Sequence, residues 1–442
     1  MTPLSQALAS RIAHDWREVF DADQRAALAD IVRTAFVDTA ACILAGRPEP
    51  ATALALQWAQ GRAGSDRAAS ILFGDTRLPP PLAALVNGVA GHALDYDDVG
   101  LAGHPSVVLV PALLAEHERS GVRGFELVQA YAKGYAAWGE LQRRLKTSLH
   151  ARGWHPTAVL GTVGAAAALA SARGLDAAST AHALGIAASL AAGVIANFGS
   201  MTKPLQVGRA AEAAFTAVDL AALGLDASPD ALDGRAGLLA ALVGREQVEL
   251  GGGVAEDFEA TLLRQPPGIK KYPICYAAHR VVDGVLDLAR AQQVVPEDVE
   301  AVDATISTTT AGVLRHHEPA TLSEARFSLE FVVAVALVHG RVGVREVSEE
   351  ALRDERVRSL MRRVRTHTTD TSCPLEPSFA FADEVRLTLR DGRQLASGPI
   401  RFARGHAELP LEPGQLEEKL LGCAEESVAR SVIARLDRAL TD

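Results

Sequence analysis

The chain is poor in cysteine and in aromatic residues. Its four cysteines, Cys42, Cys275, Cys373 and Cys423, stand far apart with no CxxC spacing. That argues against a disulfide frame or a thiolate zinc site and fits reduced thiols. Aromatics make up only 5% of the residues, while alanine runs such as GAAAALASA and AEAAFTAVDLAAL recur; this favours closely packed helices over sheets. No apolar run reaches the roughly 18 residues that span a bilayer, and the first residues, MTPLSQALASRIAHDW, lack a signal-peptide core, so a cytoplasmic protein is expected. No strand leads into GxGxxG or GxxxxGK[ST], which leaves the nucleotide-binding folds without support. Low-complexity tracts and fixed-period repeats are also missing. Positive charge is in deficit: the net charge is −10. Binding to nucleic acid or an anionic membrane is therefore disfavoured, and an anionic ligand must find a locally basic pocket.

Helical periodicity is what the chain does have. Residues 24–45 place Leu28, Val32, Phe36, Thr39 and Ile43 on one stripe, with Gly46 as a stop. Similar patterns cover 50–60, 81–95, 106–120, 124–140, 156–173, 177–196 and 205–223. Past residue 265 the texture changes. The segment 299–310 alternates like a strand, and 384–397 reads as a hairpin turning at Asp391-Gly392. Helical segments are expected at 327–340 and 348–364, and again at 412–440. The chain is therefore expected to be mainly α: a large all-helical domain over 1–265, completed by 405–442, plus a smaller α+β domain over 266–404.

Four predicted helix starts share an unusual arrangement. His104-Pro105, His155-Pro156, Lys203-Pro204 and Lys270-Lys271-Tyr272-Pro273 each precede a helical run. Proline suits the first helical position, but His and Lys are poor caps, and their charge opposes the helix dipole. Each dipeptide alone is ordinary loop punctuation. Four together suggest cationic groups at helix mouths, where anions bind, and hence a pocket for a di- or tricarboxylate.

The stretch Gly91–Ser106, GHALDYDDVGLAGHPS, gathers two histidines and three acids. His92, Asp95 and Asp98 at i, i+3 and i+6 on one helix face could ligate Mg²⁺ or Fe, the pattern of a metal-dependent enzyme. Against that reading, lysines elsewhere would not be needed by a hard-acid metal site. The alternatives are acid–base groups, or a loop in which Asp97 shapes the backbone, Asp98 caps or is solvated, and His92 packs. A non-catalytic helical scaffold is the third class.

The wording HALDYDD with GHPS, GWHPTAVLGTVGA, NFGSMTKPLQVGRAA, KKYPICYAAH and EARFSLEF resembles the MmgE/PrpD family, and the likeness runs over nearly the whole chain. That family includes 2-methylcitrate dehydratase, cis-aconitate decarboxylase and iminodisuccinate epimerase. The resemblance implies a helical domain and a smaller lid with the active site between them. It also implies a homodimer, a small di- or tricarboxylate substrate, and neither metal nor organic cofactor. Asp95 and His104 match the family's active-site Asp and His; His155 matches the histidine of its GxHPT motif and Lys203 the lysine of its TK motif. Lys270 or Lys271 matches the lysine at the lid edge. The expected catalytic set is Asp95, His104, Lys203 and Lys271, with Asp95 fixing the His104 tautomer. His155, Lys270, Tyr272, Cys275, Val99 and Gln206 are expected at the substrate; Tyr272 and Cys275 are equally readable as packing residues, and His279 as a support on the helical face of Cys275.

Three positions depart from the family pattern. Val99 stands where a hydroxyl is usual, Gln206 where a histidine is common, and Cys275 where the decarboxylases carry a histidine. These departures and the MTKP, ICYAAH and DYDD wording point to the iminodisuccinate epimerase branch, with a lyase of the dehydratase or decarboxylase type as the alternative. Decarboxylation follows a related path, whereas epimerisation and dehydration begin with removal of a proton next to a carboxylate. That needs a group titrating near neutrality, for which His104 is the candidate, and positive charge for the resulting anion, supplied by Lys203 and Lys271.

Overall fold

The computed structural model describes residues 2–251, 253–412 and 414–441. They divide into two compact units, one of residues 1–93, 97–267 and 416–442, the other of residues 94–96 and 268–415.

The first unit is helical. The long helix Ala22–Gly46 opens with a capping box between Asp21 and Gln24, and its predicted stripe is buried from Leu28 to Ile43. Helices Pro80–His92, Ser106–Ser120, Gly124–Arg143, Pro156–Ala172 and Thr202–Ala222 pack around it. Small residues let their backbones nearly touch. A Cβ on Gly208 would lie 2.4 Å from the Leu85 carbonyl oxygen, and one on Gly134 would lie 2.7 Å from that of Gly164. The alanine and glycine richness of the sequence is thus spent on close helix crossings. The tail returns to this unit as helices Gln415–Cys423 and Glu426–Leu440. Buried Lys419 ion-pairs with buried Asp38 at 2.6 Å, and Ala429, Val432 and Leu436 join the core. No helix among the described residues is long and apolar enough to cross a membrane.

The second unit is α+β. Its sheet has the order Val364–Thr369, Val299–Ser307, Glu384–Leu389, Gln394–Ala396, parallel at the first pairing and antiparallel at the others. Helices His279–Ala291 and Leu329–His339 supply the other half of its core. The hairpin turns at Asp391-Gly392 as expected, with Gly392 at φ +87°. Several boundaries differ from the sequence reading. The strand from Val299 stops at Ser307, whose hydroxyl caps helix Thr308–Val313. The expected helix 348–364 is two, Glu349–Arg353 and Glu355–Met361, because Asp354 ends one and caps the next. The segment VRTHTT, from Val364 to Thr369, is a strand, as its β-branched alternation allowed.

The unit boundaries also move. Residues 405–415 belong to the second unit, where the Ile269 amide donates to the Gly405 carbonyl at 2.8 Å. Residues 94–96 join it too, because Lys270 grips Asp95 and the Tyr96 hydroxyl donates to the Lys271 carbonyl at 3.1 Å.

Candidate active site

In the first unit, helix Pro80–His92 ends at His92, and a loop carries the chain to helix Ser106–Ser120. Asp98 is fully buried and accepts from the Ser106 amide at 3.2 Å and from the Ser106 hydroxyl, which also meets the Tyr131 hydroxyl at 2.7 Å. The missing cap of that helix is therefore supplied from eight residues upstream. Burial pushes the Asp98 carboxyl up to about 8, with the Ser106 hydroxyl working against the shift. Asp98 caps, as one reading held, but is in no sense solvated.

His104 stands just before that helix, its amide donating to the Thr157 hydroxyl at 3.2 Å. Its Nδ1–H donates to the Asp98 carbonyl at 2.7 Å and lies 3.4 Å from the Asp97 carboxylate. That carboxylate, wholly buried, also takes the Nδ1–H of His92 at 2.8 Å. One buried anion thus fixes the Nδ1–H tautomer of His92 and faces Nδ1 of His104. The two rings meet edge to face at 5.0 Å. Asp97 and His92, assigned from sequence to loop shaping and packing, are corrected here to members of the cluster. Their signal was the acid spacing in HALDYDD, which does not say which acid turns inward.

His92, Asp97 and His104 present ligand atoms within 4.8 Å of one another, a donor set suited to a first-row divalent ion. Such an ion would have to displace the Nδ1 protons just described. The alternative metal trio weighed from sequence, His92, Asp95 and Asp98, does not share a helix face: the helix ends at His92 and Asp95 sits at φ +53°.

His155 stacks on His92 at 5.7 Å and lies at the mouth of helix Pro156–Ala172. Its Nδ1 is 2.8 Å from the Oε1 of Gln206, whose Nε2 donates to the Val194 carbonyl at 3.0 Å. That second bond fixes the amide orientation, so Oε1 must accept and His155 must carry its proton on Nδ1. Its Nε2 is buried with no hydrogen-bond partner among the described residues. Burial, then the charges of His92 and Lys203, hold the imidazole well below the ordinary histidine range and so neutral. Gly193 makes room: a Cβ there would lie 2.6 Å from Ala158 Cβ and 3.1 Å from Gln206 Oε1. Phe198 packs edge-on against His155 at 4.9 Å, and the nearly buried Lys203 sets its ammonium 5.1 Å over the Phe198 ring.

Three of the four cationic starts thus converge within the first unit, though not all as drawn. Lys203-Pro204 lies inside the first turn of helix Thr202–Ala222 instead of before it. Val99 stands half-buried in the loop.

The second unit gathers the others. Lys270 is fully buried, and its ammonium donates to the Asp95 carbonyl at 2.7 Å and carboxylate at 3.0 Å. Lys271 is half-buried, with Nζ 5.9 Å from the Tyr272 ring centre. The Tyr272 hydroxyl donates to Asp283 at 2.6 Å, so it is spent inside the unit. No helix starts at Pro273; the chain makes a short turn at Tyr276–Ala278 before helix His279–Ala291. Cys275 is buried at the head of that turn, so Cys275 and His279 do not share a helical face. His279 packs between the rings of Tyr272 and Tyr276.

A mainly helical unit with a histidine–carboxylate cluster, together with a smaller α+β unit, has matches over most of its length. Residues 15–251 match the MmgE/PrpD N-terminal domain and residues 272–442 the MmgE/PrpD C-terminal domain. The chain belongs to the MmgE/PrpD family and is one of its enzymes. It is 31% identical to cis-aconitate decarboxylase of Mus musculus over 84% of this chain and 78% of the relative. Against cis-aconitate decarboxylase of Homo sapiens it is 31% identical over 82% and 76%, and against that of Aspergillus terreus 25% over 72% and 70%.

Proposed function

We propose that this enzyme is a lyase that decarboxylates a small unsaturated polycarboxylate of the cis-aconitate kind. The observation that carries the reading is the Asp97-linked pair His92 and His104, in a chain aligned over most of its length with cis-aconitate decarboxylases. In such an acid the carboxylate on the saturated carbon leaves as CO₂. The electrons of the broken C–C bond form a new double bond, and those of the old double bond take up a proton at the former vinylic carbon. One proton is consumed and no redox partner is needed. His104, with Nδ1 engaged, is assigned as the proton donor through Nε2, and Asp97 and His92 position it. Lys203 is assigned to the negative charge that spreads over the remaining carboxylates. His155, kept neutral, offers a fixed acceptor. Asp95, Lys270 and Lys271 enter this reading from the family resemblance, with Lys271 as a carboxylate contact and the Lys270–Asp95 pair as its support. The same resemblance supports a homodimer.

Epimerisation of an iminodisuccinate-like acid is the second reading. Gln206 and Cys275 favour it, each standing where a histidine would otherwise be expected. Incubation with cis-aconitate, 2-methylcitrate and iminodisuccinate in D₂O, followed by NMR, separates the two. The proposal expects CO₂ release from the unsaturated acid, with one deuterium in the product. Deuterium wash-in without CO₂ would establish the epimerase instead, and loss of water from the hydroxy acid a dehydratase.

A further inference from the structure

The first unit holds a second basic feature, apart from the histidines. A cavity of about 690 Å³ opens where the short hairpin of Ala69–Ser70 and Arg77–Leu78 meets helix Ser106–Ser120 and the C-terminal helix Glu426–Leu440. Four arginines line it: Arg77, Arg123, Arg435 and Arg438. Glu118 organises two of them, taking Arg77 at 3.0 Å and Arg435 at 2.8 Å while also accepting from the Ser70 amide at 2.9 Å. Arg123 and Arg438 have no ion-pair partner among the described residues. Leu72, Leu114 and Leu436 form the apolar part of the wall.

We propose that this cavity is a binding site for a small organic polyanion, one carrying two or more phosphate or carboxylate groups on an apolar body. Four guanidinium groups against Glu118 and Asp75 leave the lining net positive, in a chain whose net charge is −10. A local excess of this sign draws anions that the rest of the surface repels. Guanidinium forks suit phosphate and carboxylate oxygens, and the two held by Glu118 are preorganised. The volume lies in the range of metabolite sites, about 300–1,000 Å³. None of the lining residues belongs to the histidine cluster, so this site is separate from the one assigned to catalysis.

The test uses calorimetric titration of the full chain with pyrophosphate and, separately, with tricarballylate. Lys203→Ala serves as the host, so that binding at the histidine cluster is suppressed. One-to-one binding of either probe is expected, weakened about tenfold or more by adding Arg123→Gln with Arg438→Gln, which removes two charge-assisted contacts. Both positions are exposed, and an unchanged melting profile confirms the fold. A response to pyrophosphate alone assigns a phosphate ester, and to tricarballylate alone a polycarboxylate; either supports the site. No binding of either probe, or binding that the arginine substitutions leave intact, overturns it.

Discussion

His104 and His155 begin neighbouring buried helices from the same His-Pro dipeptide, and the fold gives them opposite partners. His104 faces the Asp97 carboxylate, which stabilises a proton on the ring; His155 faces the Gln206 amide, which can neither supply nor neutralise charge. In the proposed mechanism the first histidine cycles a proton during turnover. The second is locked as a neutral acceptor by burial and by the nearby charges of His92 and Lys203. Residue type and dipeptide context are therefore poor guides to role. The partner at Nδ1 decides it.

Breaking the proton-cycling side should have the largest effect. His104→Ala is expected to lower kcat for cis-aconitate by about 10²–10⁴-fold, the usual worth of a general acid. Lys203→Ala should cost about 10²–10³-fold through lost charge stabilisation. Both should leave the melting temperature close to wild type, and near-normal turnover in either removes that residue from the mechanism. Gln206→Glu erases the contrast by giving His155 a carboxylate of its own. Its imidazole should then hold a proton near neutral pH, adding an ionisation to the pH–rate profile; an unchanged profile would mean that His155 does not sense residue 206.

Smaller effects concern the frame. Gly193→Ala drives a methyl into Ala158 and the Gln206 amide, and should cost about 1–3 kcal/mol in urea unfolding. The smallest is a slope. Folded Asp98 keeps its proton to about 8, whereas in the unfolded chain it ionises in the ordinary carboxylate range. The unfolded state thus binds fewer protons in that window, so this group makes stability fall as pH rises toward 8 and adds no further change above it. Asp98→Asn should flatten that part of the stability–pH curve, and an undiminished slope would place its origin elsewhere.

Most helices were legible because their apolar spacing and Gly or Pro stops agree with the packing, as in Ala22–Gly46 and Ser106–Ser120. The strand Val364–Thr369 was hidden by a charged helical run leading into it. At the site, His104, His155, Lys203 and Gln206 could be named from their motifs. The partners could not: Asp97 and Asp98 are adjacent and chemically identical, and only the turn of the loop sends one to the histidines and the other to Ser106. Gly193 and Phe198, which shape the His155 pocket, carry no chemical signature in the sequence.

The most direct test of the contrast is a ¹⁵N NMR titration of the histidine side chains, assigned with His104→Ala and His155→Phe. The account predicts that His155 stays neutral, with its proton on Nδ1, from pH 8 down to 5. Titration of His155 near the ordinary histidine value, or a neutral ring carrying its proton on Nε2, would contradict it.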